Sequence, residues 1–142
     1  MRRVFWDSNL FIYLFEENPR FVEIVRALRI RMAARGDVLY TGALTVGEIL
    51  VKPFQEGDLR MVERYRTFFR NSSAVTVMPM DVVAAEHYAA IRADRGISHA
   101  DAMQLACAAS ANVDLFITND ERLHGKEIDG IKFVTSLSRS PL

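Results

Sequence analysis

Apolar and polar positions along the chain alternate between two rhythms. Val4-Phe5-Trp6 is a short apolar run that stops at Asp7-Ser8-Asn9, and apolar residues then fill most of 10–15 until Asn18-Pro19. This predicts a strand, a turn and a short helix. Phe21, Ile24, Val25, Leu28 and Met32 recur at helical spacing before Gly36, which supplies a stop. Val38-Leu39-Tyr40 reads as a strand, and 45–51 as a helix ended by Pro53, with Gln55-Glu56-Gly57 as a loop. Asp58 caps a helix running to Phe69 with Leu59, Val62 and Phe69 inward; Asn71-Ser72-Ser73 turns the chain into the β-branched Val75-Thr76-Val77. Asp81 opens a helix to Arg95 that Gly96 breaks, and Ser98 opens an alanine-rich helix to Ala111. Leu115-Phe116-Ile117 is a buried strand, and 131–134 the last one.

Strands separated by helical segments of this length need crossover connections. The expectation is therefore α/β: a central parallel sheet covered by helices on both faces. The 142 residues fit one domain spanning 1–142, with 136–142 a loose tail. The 18 Lys and Arg balance the 18 Asp and Glu, so no field from the whole molecule attracts nucleic acid. Contact with RNA then needs a local basic patch. Cys107, the only cysteine, forms no internal disulfide, and no Cys or His pair has the spacing of a zinc site, which points to a reducing, cytoplasmic compartment. Arg2-Arg3 before an apolar run faintly resembles a signal peptide, but Asp7 interrupts the run and no small-residue cleavage site precedes Glu16-Glu17. No stretch reaches the roughly 18 apolar residues of a membrane span.

Four acids stand out by position: Asp7 after the first strand, Glu48 after the second, Asp101 opening the alanine-rich helix, and Asp120 after Phe116-Ile117-Thr118. In a parallel sheet the carboxyl ends of the strands share one edge, which collects Asp7, Glu48 and Asp120. The helix bearing Asp101 runs antiparallel to the strand that follows it, so its start returns to the same edge. All four carboxylates are expected to meet. Each one alone has a capping account. Asp7 and Asp120 precede short helical turns, Thr45-Val46-Gly47-Glu48 fits a capping box, and Ser98-His99-Ala100-Asp101 fits its acidic variant. Capping does not explain why all four fall on one edge. At about 5 Å and an effective dielectric near 20, each pair of bare carboxylates costs roughly 3 kcal/mol. A cation should occupy such a cluster. Oxygen ligands without His or Cys favour Mg²⁺ or Mn²⁺, one ion or two, and with them phosphoryl chemistry by a nuclease or phosphatase.

These segments resemble the PIN-domain family and, within it, the VapC-type toxins of toxin–antitoxin pairs. The stretch from Val4 to Tyr13, with its Asp7-Ser8-Asn9 turn, looks like the family's opening motif. Thr45-Val46-Gly47-Glu48-Ile49-Leu50 looks like the second, Ile97-Ser98-His99-Ala100-Asp101 the third, and Leu115 through Asp120 the fourth. The resemblance covers nearly the whole chain. It implies a three-layer α/β/α fold and a Mg²⁺- or Mn²⁺-dependent endoribonuclease leaving 5′-phosphate and 3′-hydroxyl ends. Asp7, Glu48, Asp101 and Asp120 carry over as metal ligands and catalytic residues, with Asn9 and Thr118 as supporting polar groups. It further implies a homodimer and, for a toxin, an antitoxin protein that plugs the site; a housekeeping PIN nuclease would share the same acids.

Lys52, Arg92, Arg95, Arg122 and Lys126 flank the predicted edge and are candidates for phosphate contact, although exposed basic residues are usually only solvated. His99 is a further RNA-contact candidate, while Asp81, Asp114 and Asp129 read as cap and turn residues. One rival reading is a haloacid-dehalogenase-type phosphatase with Asp7 as nucleophile. It lacks its second acid, because that position is Asn9. P-loop and Rossmann glycine motifs are absent from the sequence. The other rival is a non-catalytic RNA- or protein-binding module, for which Tyr65, Phe68 and Phe69 beside Leu59 and Val62 supply a candidate partner or dimer surface.

Overall fold

The computed structural model describes every residue except Ser72. Its strands are β1 (Arg3–Trp6), β2 (Val38–Gly42), β3 (Thr76–Met78), β4 (Leu115–Ile117) and β5 (Phe133–Thr135). They form one parallel sheet in the order β3-β2-β1-β4-β5. β1 lies in the middle, with Val4 opposite Leu39 on one side and Leu115 on the other. The chain builds outward from β1 through β2 to β3, then crosses back to place β4 on the other flank of β1. That reversal makes the crevice between the carboxyl ends of β1 and β4 a topological switch point, where open parallel sheets bind ligands.

The crossovers are the helices α1 (Ser8–Phe15), α2 (Val22–Arg35), α3 (Ala43–Gln55), α4 (Leu59–Arg70), α5 (Val82–Ile91) and α6 (His99–Ser110). Successive strand side chains point to opposite faces, so β1 and β4 serve two cores. Val4, Trp6, Leu115 and Ile117 pack with Leu10, Phe11, Val25, Leu28, Ile49 and Phe69 of α1–α4. Phe5 and Phe116, stacked at 5.0 Å, face Ile91, Leu105, Ala106 and Ala109 of α5 and α6. The result is the expected three-layer α/β/α arrangement around a parallel sheet.

Several element ends differ from the sequence expectation. Pro53 lies inside α3 and does not terminate it. In the last helical turn a proline forfeits a single amide bond, and Pro53 is buried, while the Glu56 and Asp58 amides still close onto the carbonyls of Lys52 and Pro53. Leu59 is 67% exposed, so the inward positions of α4 are Val62 and Phe69, without Leu59. α5 stops at Ile91, short of Arg95: the Asp94 carboxylate takes the Gly96 amide, and the Arg92 guanidinium donates to the Ile97 carbonyl at 2.8 Å. β5 begins at Phe133 because the Ile131 amide turns back to the Ile128 carbonyl. Of the expected turn at Asn71-Ser72-Ser73, Ser72 lies outside the described residues, and the Ser73 amide bonds the Asn71 carbonyl. Segment 136–142, expected as a loose tail, is fastened by buried Leu137 and by Arg31 donating to the Leu142 carbonyl.

Gly130 sits at φ +92°, and a Cβ there would stand 3.0 Å from the Ala109 carbonyl oxygen. Gly130→Ala combines a disfavoured backbone with a clash against α6, so it should cost about 1–3 kcal/mol. A denaturant melt of the variant checks this, and an unchanged midpoint would show that the turn relaxes freely.

Candidate active site

Asp7 is the first residue beyond β1, and its amide bonds the Ile117 carbonyl at the end of β4, which puts it in the switch-point crevice. Both of its side-chain oxygens accept hydrogen bonds. Oδ1 accepts from the Ser8 amide at 2.8 Å and from Gln104 Nε2 at 3.4 Å, and Oδ2 accepts from the Thr118 hydroxyl at 2.7 Å. Burial drives the Asp7 carboxyl above its ordinary range; the bonds from Thr118 and Ser8 pull it back, and the negative charges of Asp101 and Glu48 push it up again. Those two acids therefore lie within electrostatic reach of Asp7.

Glu48, on α3, accepts the Ser8 hydroxyl at 2.9 Å, so one serine joins Asp7 to Glu48. Asp101, in the first turn of α6, and Asp120, after β4, share Arg122. The Arg122 fork is bidentate on Asp120, with Nε to Oδ1 at 3.0 Å and Nη2 to Oδ2 at 2.7 Å; Nη2 also lies 3.7 Å from Asp101 Oδ2. The Arg122 hydrogen bond, against some burial, holds the Asp120 carboxyl below its usual range.

The acids, expected to meet at this edge, are arranged there as two bridged pairs, with the charges of Glu48 and Asp101 both reaching Asp7. Among the described residues no three His, Cys, Asp or Glu side chains form a ready-made metal cage. The physical reason is relief of repulsion: hydroxyl donors serve the Asp7–Glu48 pair, and a guanidinium serves the Asp101–Asp120 pair.

The capping accounts divide. Asp7 does cap α1 through the Ser8 amide, and Asp120 caps a 3₁₀ turn at Glu121–Leu123 through the Arg122 amide. Glu48 and Asp101 do not cap. α3 begins after Gly42, so Thr45 is no N-cap and its hydroxyl is buried between Thr41 and Gln104. At α6 the Ser98 hydroxyl accepts the Asp101 amide, while the Asp101 carboxylate faces Arg122. Both acids are placed for something other than helix ends.

Thr118 is the hub of the crevice. Its hydroxyl donates to Asp7 and accepts from Asn9 Nδ2 at 3.3 Å and from the Asp120 amide at 3.1 Å. Asn9 Oδ1 and Gln104 Oε1 are buried without a partner. Such an orphaned acceptor costs about 1–3 kcal/mol, which an ordered water or a hydrated hard cation would recover. An all-oxygen donor set with an orphaned buried amide oxygen beside it fits Mg²⁺ or Mn²⁺. His99 is instead engaged with the Tyr88 hydroxyl, and His124 Nε2 meets the Thr118 carbonyl at 2.9 Å.

Sequence reading missed Ser8, Thr45 and Gln104. Gln104 is 2% exposed and bonds Thr45 Oγ1 at 2.6 Å. The available signal was its position three residues after Asp101, which puts both on one helix face. Its burial depends on Gly42, where a Cβ would come within 2.3 Å of Gln104 Oε1. Gly42→Ala is expected to displace Gln104, loosen Asp7 and lower any cation-dependent activity several-fold with the fold intact; unchanged activity would show that Gln104 plays no part in holding Asp7.

The basic candidates take different positions. Lys52 lies 3.6 Å from Glu16, Lys126 lies 2.9 Å from Asp94, and Arg92 is committed to the Ile97 carbonyl. Arg95 is exposed, and Arg122 sits on the acids themselves.

The architecture and the motif order have a match among known proteins: residues 4–128 fit the family model described as PIN domain. The chain belongs to the PIN-domain family. This PIN domain is similar in fold to VapBC2 from Rickettsia felis bound to a DNA fragment from its promoter, with TM-score 0.73 and 13% identity over 94% of this chain and 98% of that one. It is also similar to DNA-bound VapBC from Salmonella typhimurium, at TM-score 0.69 and 22% identity over 96% and 99% of the two chains. A toxin–antitoxin complex from Klebsiella pneumoniae gives TM-score 0.61 and 20% identity over 90% and 94%. No curated protein matches the chain by sequence. Membership in the PIN family displaces the haloacid-dehalogenase reading, whose scheme had no role for Glu48.

Proposed function

We propose that this PIN-domain protein is a Mg²⁺- or Mn²⁺-dependent endoribonuclease and the toxin of a toxin–antitoxin pair, acting in the cytoplasm as a homodimer. The observation that carries this reading is the crowding at the switch point: buried Asp7, with its carboxyl already pushed up, faces the charges of Glu48 and Asp101. Capping accounts for Asp7 alone and not for the two further charges beside it, whereas cation-assisted phosphoryl chemistry uses all three. PIN domains are generally nucleases, and VapBC complexes of similar fold support a protein antitoxin as partner. Among the described residues no helix is long and apolar enough to cross a membrane.

Asp7, Glu48, Asp101 and Asp120 would hold the cation, one ion or two. When bound, a divalent ion supplies Lewis acidity toward a phosphate oxygen and lowers the pKa of water. The chain's own contribution is orientation. Thr118 and the Ser8 amide fix the Asp7 carboxylate, the Ser8 hydroxyl fixes Glu48, and Asn9 presents an unpaired amide oxygen beside Thr118. Lys52 and Arg95, exposed cations expected beside this edge, and Arg122 on the acids would supply phosphate contacts.

The test incubates the purified protein with total cellular RNA, with Mn²⁺ or with chelator, and sequences new 5′-phosphate ends. Discrete ends that need Mn²⁺ support the nuclease. Cation binding without new ends, across several RNA classes, would favour the non-catalytic module, a reading to which Arg122's grip on Asp120 lends its one support.

A pH profile follows from Asp7. Because its carboxyl titrates above the ordinary aspartate range, a proton competes with the cation at a higher pH than a solvated Asp would allow. Mn²⁺ affinity and cleavage should therefore fall together on acidification while the protein remains folded. An acid limb no higher than that of a free aspartate would overturn this assignment.

A further inference from the structure

We propose that Arg122 is a built-in counterion of the active site, which a divalent cation must displace from Asp101 and Asp120 in order to bind. The inference rests on the cation-dependent reading above and adds to it how the site is kept neutral and what tunes its affinity. Three features on the structure support it.

The guanidinium is not merely near the acids. It is bidentate on Asp120 and spans to Asp101, using the same oxygens that a divalent ion would take. One positive group therefore answers two carboxylates whose side chains are each only about one-fifth exposed, at 18% and 21%. Secondly, the arginine is poorly held by anything else. Its side chain is 73% exposed, and its polar contacts among the described residues are those two acids. Because the arginine end lies in solvent, the guanidinium can swing out and be rehydrated when a divalent ion takes the two carboxylates. Thirdly, the other pair is treated differently. Asp7 and Glu48 receive neutral donors, Ser8, Thr118 and Gln104, which can stay in place when a cation arrives. The site has a fixed half and an exchangeable half.

Like charges repel at this range, so a divalent ion and the guanidinium cannot both sit between Asp101 and Asp120 at low cost. Removing the guanidinium removes the competitor. Arg122→Gln should bind Mn²⁺ about tenfold more tightly than wild type, an effect that shrinks as ionic strength rises. Arg122→Lys, which keeps the charge but loses the planar fork, should fall between the two.

The experiment is calorimetric titration of MnCl₂ into the full-length wild type, Arg122→Gln and Arg122→Lys at fixed pH and two salt concentrations. Circular dichroism checks that each variant is folded. Tighter binding by Arg122→Gln, graded through Arg122→Lys, is the expected result. Equal or weaker binding by Arg122→Gln would overturn the inference, because the arginine would then orient Asp120 for the ion and not compete with it, while leaving the cation site standing. No Mn²⁺ binding by any of the three would remove the cation site and the counterion role together. The two failures are therefore distinguishable.

Discussion

Asp101→Asn is expected to reduce Mn²⁺-dependent RNA cleavage by at least about a hundredfold and to leave the melting temperature nearly unchanged. The structure separates these effects. The helix start at α6 is secured by the Ser98 hydroxyl accepting the Asp101 amide, a bond that Asn retains because it is made by the backbone. The carboxylate itself faces Arg122 at 3.7 Å and raises the Asp7 carboxyl by its charge, neither of which holds the fold. An amide of the same size weakens cation binding without emptying space, and losing one charge ligand in a phosphoryl-transfer site costs several kcal/mol of transition-state stabilisation. Sequencing of 5′-phosphate ends with wild type and variant side by side reads the activity. Full activity in the variant would sink the carboxylate mechanism, and an unfolded variant would mean that α6 depends on the acid after all.

Asp7→Asn should move activity and stability in opposite directions. The sign follows from linkage. Asp7's carboxyl is raised in the folded chain, so as pH climbs from the ordinary aspartate value the unfolded chain loses its proton first. Folding stability then falls across that window and stays lower above it, at neutral pH included. Asparagine removes the buried charge and can still accept from the Ser8 amide, so the cap survives; its Nδ2 cannot accept from the Thr118 hydroxyl, a single bond whose loss is expected to weigh less than the buried charge. The cation-free variant should melt above cation-free wild type. Added Mn²⁺ should raise the melting temperature of wild type and barely move the variant. Cleavage should be lost. Destabilisation of the cation-free variant would show that Asp7 serves the fold more than the site.

Much of the fold was legible because each layer has its own pattern. The apolar triplets Val4-Phe5-Trp6 and Leu115-Phe116-Ile117 could only be strands buried on both faces, and Asp58, Asp81 and Ser98 marked helix starts where the structure has them. Helix ends were harder. Pro53 looked like a terminator, but the amide bond it removes from the preceding turn is offset by burial of its ring, which local sequence does not show. In the site, the four acids were readable because strand ends and helix starts share an edge in this topology. Their partners were not. Gln104 is one polar residue in an alanine-rich helix until Gly42, far earlier in the chain, makes room for it. Arg122 read as a rim cation, because only the three-dimensional course of the turn after Asp120 folds its guanidinium back onto the acids.

The placement of β4 has a consequence for when the protein becomes dangerous to its host, if it is the nuclease proposed. Asp7 waits for Thr118, which lies 111 residues further along the chain, and β1 has an open flank until β4 docks there. A nascent chain on the ribosome therefore carries Asp7 and Glu48 with half a site and no hub. Closing a loop of that length comes late in folding. Synthesis itself orders the assembly: residue 118 must be made and β4 must dock on β1 before Asp7 has its full set of partners.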